Sequence, residues 1–501
     1  MRSKKALRNV ITSVILQACS IICGFIIPKL IISNYGSVVN GLIVSITYFL
    51  SCITLLEAGF GPVIKADLYK PIAQKDNEKI NQILKASEKI FRTISYIFLV
   101  YIILLCIVLP LNVSSQFDYI FTILLIIIIS LSTFAEYYFG MTYRLFLQTD
   151  QKSYVVNCIQ IVTTILNAIL VILLINLKMN IIIVKLVSSI IFVLRPILQN
   201  VYVKRKYNIN LKNVKLNYKL KQKWDALVQH IAYIIHNNAD IVILMIFGNL
   251  IEISVYSIYS TIVNSIKRAL QSFSNGIDSA FGNMIANNEK ENLNKSFKMY
   301  EGIYLTIATI LFSSTLFLII PFIKIYTKGI DDANYIRTAF GAVIVIAEFI
   351  CMIRMPYNDL VKVAGKFKET KNGAYIEAIS NIVISCILVN YLGITGVAIG
   401  TLVAMSIRTI EFMYYSSKYI LNRNVVYGFK RFIVVFLELA LITVCVNLLP
   451  KYNIDGYFVW IIQAIEVSIV STVIVVAINS VLYKDNLKNI LDKTKSLLKI
   501  K

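Results

Sequence analysis

An apolar run of about 20 residues, the length a helix needs to cross the ~30 Å hydrocarbon core of a bilayer, recurs fourteen times along this chain. The runs lie near 10–33, 39–62, 93–111, 119–141, 154–176, 181–202, 226–248, 253–276, 300–322, 336–357, 374–391, 394–416, 432–450 and 457–482. In lipid a segment must satisfy its own backbone hydrogen bonds, so runs of this length mean helices. The expected fold class is all-α: a polytopic membrane protein with about 14 transmembrane helices. Composition agrees. Of 501 residues, 57% are hydrophobic and 15% charged, where soluble domains have about 45–50% and about 25%. Only short loops remain, so no sizeable soluble catalytic module fits. The first run follows MRSKKALR, is too long for a signal-peptide core and has no clear cleavage site, so it is expected to be retained.

The chain carries 50 Lys+Arg against 27 Asp+Glu, a net charge of +23. With the N-terminus inside, 38 of the 50 cations fall in inward segments, 5 in outward segments and 7 within the runs. That bias is the positive-inside pattern. It predicts an even number of spans in the cytoplasmic membrane, with both termini cytoplasmic. It also assigns the basicity to topology rather than to nucleic acid, with attraction to anionic membrane lipids as a secondary effect. The eight cysteines sit in apolar runs without a CxxC pair and read as small buried hydrophobes, so neither metal nor cofactor is expected. Residues 76–92 read as an amphipathic surface helix joining spans 2 and 3, and 203–223 is the longest polar stretch.

Shifting the chain by about 214 residues brings its halves into register: span 1 falls on span 7, span 2 on span 8, and NAILVILLIN (167–176) on NIVISCILVN (381–390). The expected organisation is an N-terminal six-helix lobe (1–205), a basic cytoplasmic linker (206–223), a C-terminal six-helix lobe (224–418), and two extra helices with a cytoplasmic tail (419–501). Lobes of six spans share one orientation, a plan that serves alternating access in transporters.

Polar groups at membrane depth are costly and usually face a bundle interior or cavity. In span 8, Ser257, Ser260, Asn264, Lys267, Gln271, Asn275 and Asp278 recur at steps of three or four, giving one polar stripe, with Arg268 beside it. Two readings of Lys267 stay open: a cation snorkelling or packed between helices, and a cation in a wet cavity. Span 7 places Gln229, Tyr233, His236 or Asn237, and Asp240 on one face. A span histidine is more often packed than proton-carrying, whereas Asp240 must protonate or find a cation. Ser13, Gln17, Ser20 and Gly24 in span 1, and Asn157, Gln160, Thr164 and Asn167 in span 5, form milder stripes suited to interhelical hydrogen bonds. Glu57 ends span 2, Pro28 precedes Lys29 in span 1, Arg354 lies in span 10, and Arg408 and Glu411 are spaced for a structural ion pair. There is no Walker A loop, dinucleotide fingerprint, HExxH or nucleophile elbow, so the expectation is not an enzyme.

The segments GFGPVIKADLYKPIAQKDNEKINQIL (59–84), NNADIVILMIFGNLIEISVYSIYS (237–260), DSAFGNMIANNEKE (278–291) and YLGITGVAIGT (391–401) resemble bacterial polysaccharide repeat-unit flippases of the Wzx type. These belong to the multidrug/oligosaccharidyl-lipid/polysaccharide exporter (MOP) superfamily. The resemblance implies two six-helix bundles forming a V around a lumen, inward- or outward-facing. It also implies translocation of undecaprenyl-diphosphate-linked oligosaccharide for capsule, exopolysaccharide or cell-wall polysaccharide biosynthesis. On that expectation Lys267, Arg268, Arg354 and Lys29 attract the diphosphate. Asn264, Gln271, Gln17 and Asn167 contact the sugar, and Asp240, Glu57 and His236 serve ion coupling. A polysaccharide polymerase and glycosyltransferases would be partners. The alternatives are a multidrug/cation antiporter and a peptidoglycan-precursor flippase of the same superfamily. A membrane polymerase or glycosyltransferase would need a larger outer loop than 323–335.

Overall fold

The computed structural model describes the chain apart from residues 1, 55–56, 58, 208, 210, 212–213, 215–237, 272–276, 367, 451 and 484–501. His236, His230 and most of the basic linker therefore lie outside the described residues. The described residues are helical with no strand, and ten helices are long and apolar enough to cross a membrane. The protein is a multi-pass membrane protein. It divides into two compact units, Met1–Ile234 and Ile235–Lys501.

The first unit contains α1 (Arg2–Tyr35), α2 (Ser37–Ser51), α3 (Gly61–Gln74), α4 (Asn77–Val113), α5 (Tyr119–Ala135), α6 (Met141–Thr149), α7 (Ser153–Asn176) and α8 (Ile181–Tyr207). Gly36, at φ 90°, lets α1 break into α2. Asp76 caps α4 by accepting from the Lys79 amide at 3.0 Å, with Lys75 in the left-handed region just before it. Two expectations change here. The amphipathic segment 76–92 is not a separate surface helix: it is the first part of the 37-residue α4, because nothing between Asn77 and Val113 breaks the helix before Pro110 near its end. Span 2 is not one helix either. α2 stops at Ser51, Cys52 and Ile53 are turn residues, and α3 starts at Gly61 with Pro62 in its first turn.

α5 runs into α6 through a π-turn, Glu136–Gly140. That extra residue per turn marks the place where α8 crosses: a Cβ on Gly140 would collide with Pro196 of α8. Pro196 in turn removes one backbone hydrogen bond from the middle of α8. α1 packs along α7, α7 along α8, and α5 along α8. Ile31, Ile43, Val171, Ile175, Ile181 and Val184 form a buried apolar cluster among these helices.

The second unit contains α9 (Asn238–Phe247), α10 (Leu250–Gln271), α11 (Ile277–Ala286), α12 (Lys290–Tyr326), α13 (Thr338–Val363), α14 (Lys371–Leu392), α15 (Ile394–Tyr415), α16 (Val425–Asn447) and α17 (Tyr457–Leu482). α10 and α16 are long enough to span but do not count among the ten, α10 for its polar stripe and α16 for the charges of Lys430, Arg431 and Glu438. The order of elements repeats that of the first unit: the 37-residue α12 begins 213 residues (290 − 77) after the 37-residue α4. Tyr259, Tyr304, Tyr357, Phe297, Phe312, Phe340 and Phe349 are fully buried and give this unit an aromatic core. Its own proline and π-turn are exchanged between partners. Pro356 interrupts α13, and the π-turn Ser416–Ile420 extends α15, with Ser416 Oγ donating to the Tyr357 carbonyl at 3.3 Å. In both units large aliphatic side chains cover the outside, such as Val14 and Ile103 in the first and Val444 and Val473 in the second, as a lipid-facing surface requires.

Candidate functional site

The polar residues of the second unit are tied to one another. Lys267 of α10 meets Glu348 of α13 at 2.5 Å. Six residues further along α13, Arg354 donates to Glu377 of α14 at 2.7 Å and to Cys351 Sγ at 3.5 Å. Glu377 also faces Arg408 of α15 at 3.4 Å, and Arg408 closes on Glu411 at 2.5 Å and on the Thr370 carbonyl at 2.7 Å. Four helices thus share one alternating row of charges. Gly373 lies against this pair and leaves no room for a side chain. A second buried pair anchors the other side of the unit: Arg423 grips Glu301 in a bidentate contact (3.1 and 2.8 Å), and Tyr357 donates to the same carboxylate.

Asp240, 5% exposed, sits in a separate cluster. Tyr256 of α10 donates to it at 2.8 Å and Thr401 of α15 lies 3.0 Å from both carboxylate oxygens. Asn381 of α14 also bonds it. Ser385 links Asn381 Oδ1 at 3.0 Å to the Val397 carbonyl at 3.2 Å. Carboxylate, hydroxyl, amide and carbonyl oxygens from four helices are therefore gathered within one small volume, a donor set suited to a hard cation or a proton.

In the first unit Glu57 accepts from Tyr137 at 3.0 Å and from Arg144 at 2.9 Å, and Arg144 also meets Glu136 of the π-turn at 3.1 Å. Arg195, in the middle of α8, is held differently. Its Nε donates to Thr163 and its Nη2 to Thr164, both at 2.8 Å, and its plane lies over Phe192 at 4.1 Å. Among the described residues no carboxylate lies within ion-pair distance of it. The span 1 and span 5 stripes make hydrogen bonds at one end, where Asn157 donates to Thr12 at 3.2 Å and the Tyr154 amide to Asn9 at 2.8 Å.

Of the residues singled out from sequence, Lys267 and Arg354 are neutralised by acids, and Asp240 and Glu57 are hydrogen-bonded in place. Arg268 is exposed near the end of α10, while Asn264 and Gln271 are half-buried on the same helix. Lys29 is half-buried in α1 and engaged rather than free. Gln17 Nε2 and Asn167 Oδ1 are buried without a hydrogen-bond partner among the described residues. Arg195, Arg144, Glu136, Glu348 and Glu377 were not singled out. The spacing of Glu348, Cys351 and Arg354 at steps of three was the signal available for α13; for the others pairing across helices carried the information.

No family model matches the chain, and no curated protein matches it. Solved structures do. A lipid II flippase MurJ in an inward closed conformation superposes with a TM-score of 0.68 at 17% identity, covering 95% of this chain and 100% of that one. This chain has the MurJ and MATE fold. An inward-facing MATE multidrug resistance transporter of the MOP superfamily gives a TM-score of 0.60 at 14% identity over 83% of this chain and 95% of that one. The Vibrio cholerae MATE transporter VcmN in its bent form gives 0.54 at 13% identity, covering 83% and 97%.

Proposed function

We propose that the protein is a flippase for undecaprenyl-diphosphate-linked oligosaccharide repeat units in the cytoplasmic membrane, serving synthesis of a surface polysaccharide. The observation that carries this reading is the end-to-end likeness to a lipid II flippase. A diphosphate bearing sugars cannot enter hydrocarbon unaided, because burying its charge and hydroxyls without partners is prohibitive. A helical protein with polar groups buried at membrane depth can supply those partners.

In this reading the first six spans form one lobe, the next six a second, and α16 with α17 the addition, both termini being cytoplasmic. The Asp240 cluster is the coupling-ion site. The row Lys267–Glu348, Arg354–Glu377–Arg408–Glu411 fixes the helices around it, and the Glu57–Arg144–Glu136 cluster acts as a gating lock. The substrate's polymerase and glycosyltransferases act before and after it.

Deletion of the gene, followed by analysis of lipid-linked sugars, tests the assignment. A repeat-unit oligosaccharide on undecaprenyl diphosphate should accumulate and surface polysaccharide should fall. The MurJ likeness favours one second reading, a peptidoglycan-precursor flippase; accumulation of the peptidoglycan precursor instead would establish it. Unchanged lipid-linked sugars together with lost resistance to cationic dyes would replace both with a multidrug/cation antiporter. Asp240→Asn should abolish ion-dependent transport while leaving the protein in the membrane.

A further inference from the structure

We propose that Arg195 is an anion contact of the first unit, placed to bind a phosphate oxygen of a lipid headgroup. A guanidinium has five N–H donors. Two of the three nitrogens are committed to neutral threonine hydroxyls, Thr163 and Thr164 on adjacent positions of α7, which orient the group without cancelling its charge. Phe192 covers one face. Nη1 has no partner among the described residues, and Glu136, which acts on Arg195 only through space, is already engaged by Arg144.

Arg195 lies inside the apolar run 181–202 rather than at its edge. Arg195 lies 14 residues after Ile181 and 12 before Tyr207, about 21 and about 18 Å along α8. A charge at that depth normally pairs with an acid or marks a substrate path. Arg144, Arg354 and Arg408 take the first course; Arg195 does not.

The surrounding seam is also unfinished. Gln199, one turn below Arg195, is 0% exposed, and neither its amide nitrogen nor its oxygen has a partner. Asn167, one turn from Thr163 on α7, is 5% exposed with its oxygen unpartnered. Since α7 and α8 run antiparallel, these two amides flank the guanidinium along the same seam. Buried amides left without partners are rare in folded proteins. A phosphate at Nη1 would satisfy the donors that the two threonines leave over on the guanidinium.

The choice of a polyprenyl diphosphate as occupant rests on the proposed function; the anion contact itself does not. The test is equilibrium binding to the purified full-length protein in nanodiscs of neutral lipid, with three probes: undecaprenyl diphosphate, phosphatidylglycerol and undecaprenol. Arg195→Gln should weaken undecaprenyl diphosphate about 10–100-fold, the cost of one lost charge-assisted contact, and leave undecaprenol unchanged. Arg195→Lys, which keeps the charge but not the fork, should fall between. If Arg195→Gln does not fold, Arg195→Lys and the double variant Thr163→Val/Thr164→Val decide, each expected to lose about 3–10-fold. Equal Arg195 dependence for phosphatidylglycerol would keep the contact and make its occupant a membrane phospholipid. Wild-type affinity for undecaprenyl diphosphate in every variant would overturn the contact and leave the flippase reading standing. Failure of the wild-type protein to bind either phosphate lipid would also overturn it, while the deletion experiment judges the flippase reading separately.

Discussion

Lys267, Arg354, Arg408 and Arg423 in the second unit each meet a carboxylate, whereas Arg195 in the first is held by two threonines and a phenyl ring. Both solutions keep a cation at membrane depth, but they leave different residues behind. A buried ion pair spends the field of each charge on its partner and resists removal of either one. A guanidinium anchored by hydroxyls keeps its charge for something else. The second unit is thus a bundle cross-linked by ions. The first has one such cluster, Glu57–Arg144–Glu136, beside the close packing of Gly140 on Pro196, and keeps an uncommitted cation next to that crossing. The appended helices show a third arrangement. Glu438, 1% exposed, accepts from Asn479 at 2.6 Å, and Arg431 donates to the same asparagine at 3.2 Å, so an amide separates the acid from the base.

If the second unit depends on its ion pairs, Glu301→Ala should be the most damaging change. It strands Arg423 in a site where the carboxylate is 0% exposed, and should cost about 3–5 kcal/mol. Thermal unfolding of the purified protein in detergent would read it, and an unchanged midpoint would break the comparison at once. Glu377→Gln should follow at about 3 kcal/mol, because one acid serves both Arg354 and Arg408. Replacing Glu377 and Arg354 together by methionine should recover part of that loss.

Lys267→Gln sharpens the comparison in another way. It should lower stability by about 1–3 kcal/mol, since Glu348 is left half-buried and unpaired. Transport per molecule of folded protein should be retained. Lost transport at full stability would return Lys267 to the substrate path and erase the contrast with Arg195. Gly140→Ala probes the other unit's mode of cross-linking. It forces a Cβ into Pro196 and should cost about 1–3 kcal/mol.

The helices were legible in the sequence because lipid enforces a length and a polarity that can be counted: a described helix overlaps each of the fourteen runs, and ten of these helices are long and apolar enough to span. The breaks were not. Span 2 reads as one run because Cys52 to Thr54 are apolar enough to continue it, and the π-turns go unannounced because a single glycine, Gly140, closes the first and the second has neither glycine nor proline. For the candidate site, local spacing identified the Arg408–Glu411 contact, three residues apart on one helix. It could not show that Lys267 has Glu348 as a partner, since those residues are 81 positions apart (348 − 267) and meet only through the packing of α10 on α13. A polar stripe shows which face of a helix needs partners; whether they come from another helix or from a ligand is decided by tertiary structure. That is why two of the four cations expected from sequence to attract the diphosphate, Lys267 and Arg354, are neutralised, while Arg195 passed as one of seven cations within runs.

The smallest effect expected is at Asn9, where the first unit joins α1 to the start of α7. Its Oδ1 accepts from the Tyr154 amide at 2.8 Å and its Nδ2 donates to the Gln151 carbonyl at 3.1 Å. The Tyr154 amide belongs to the first turn of α7, so this contact replaces a helix cap supplied from within the segment, which Lys152 does not provide. Asn9→Ala should therefore cost about 1 kcal/mol, as loss of a cap does, and Asn9→Asp should retain the amide contact while losing the one to Gln151. Combining Asn9→Ala with Gly140→Ala should give additive losses, because neither site shares a partner with the other. Combining Glu377→Gln with Arg408→Gln should be far from additive, because they share one charge row. A measured coupling in the first pair as large as in the second would mean that the first unit, too, is held by a single connected network, and that the freedom assigned to Arg195 is already spent.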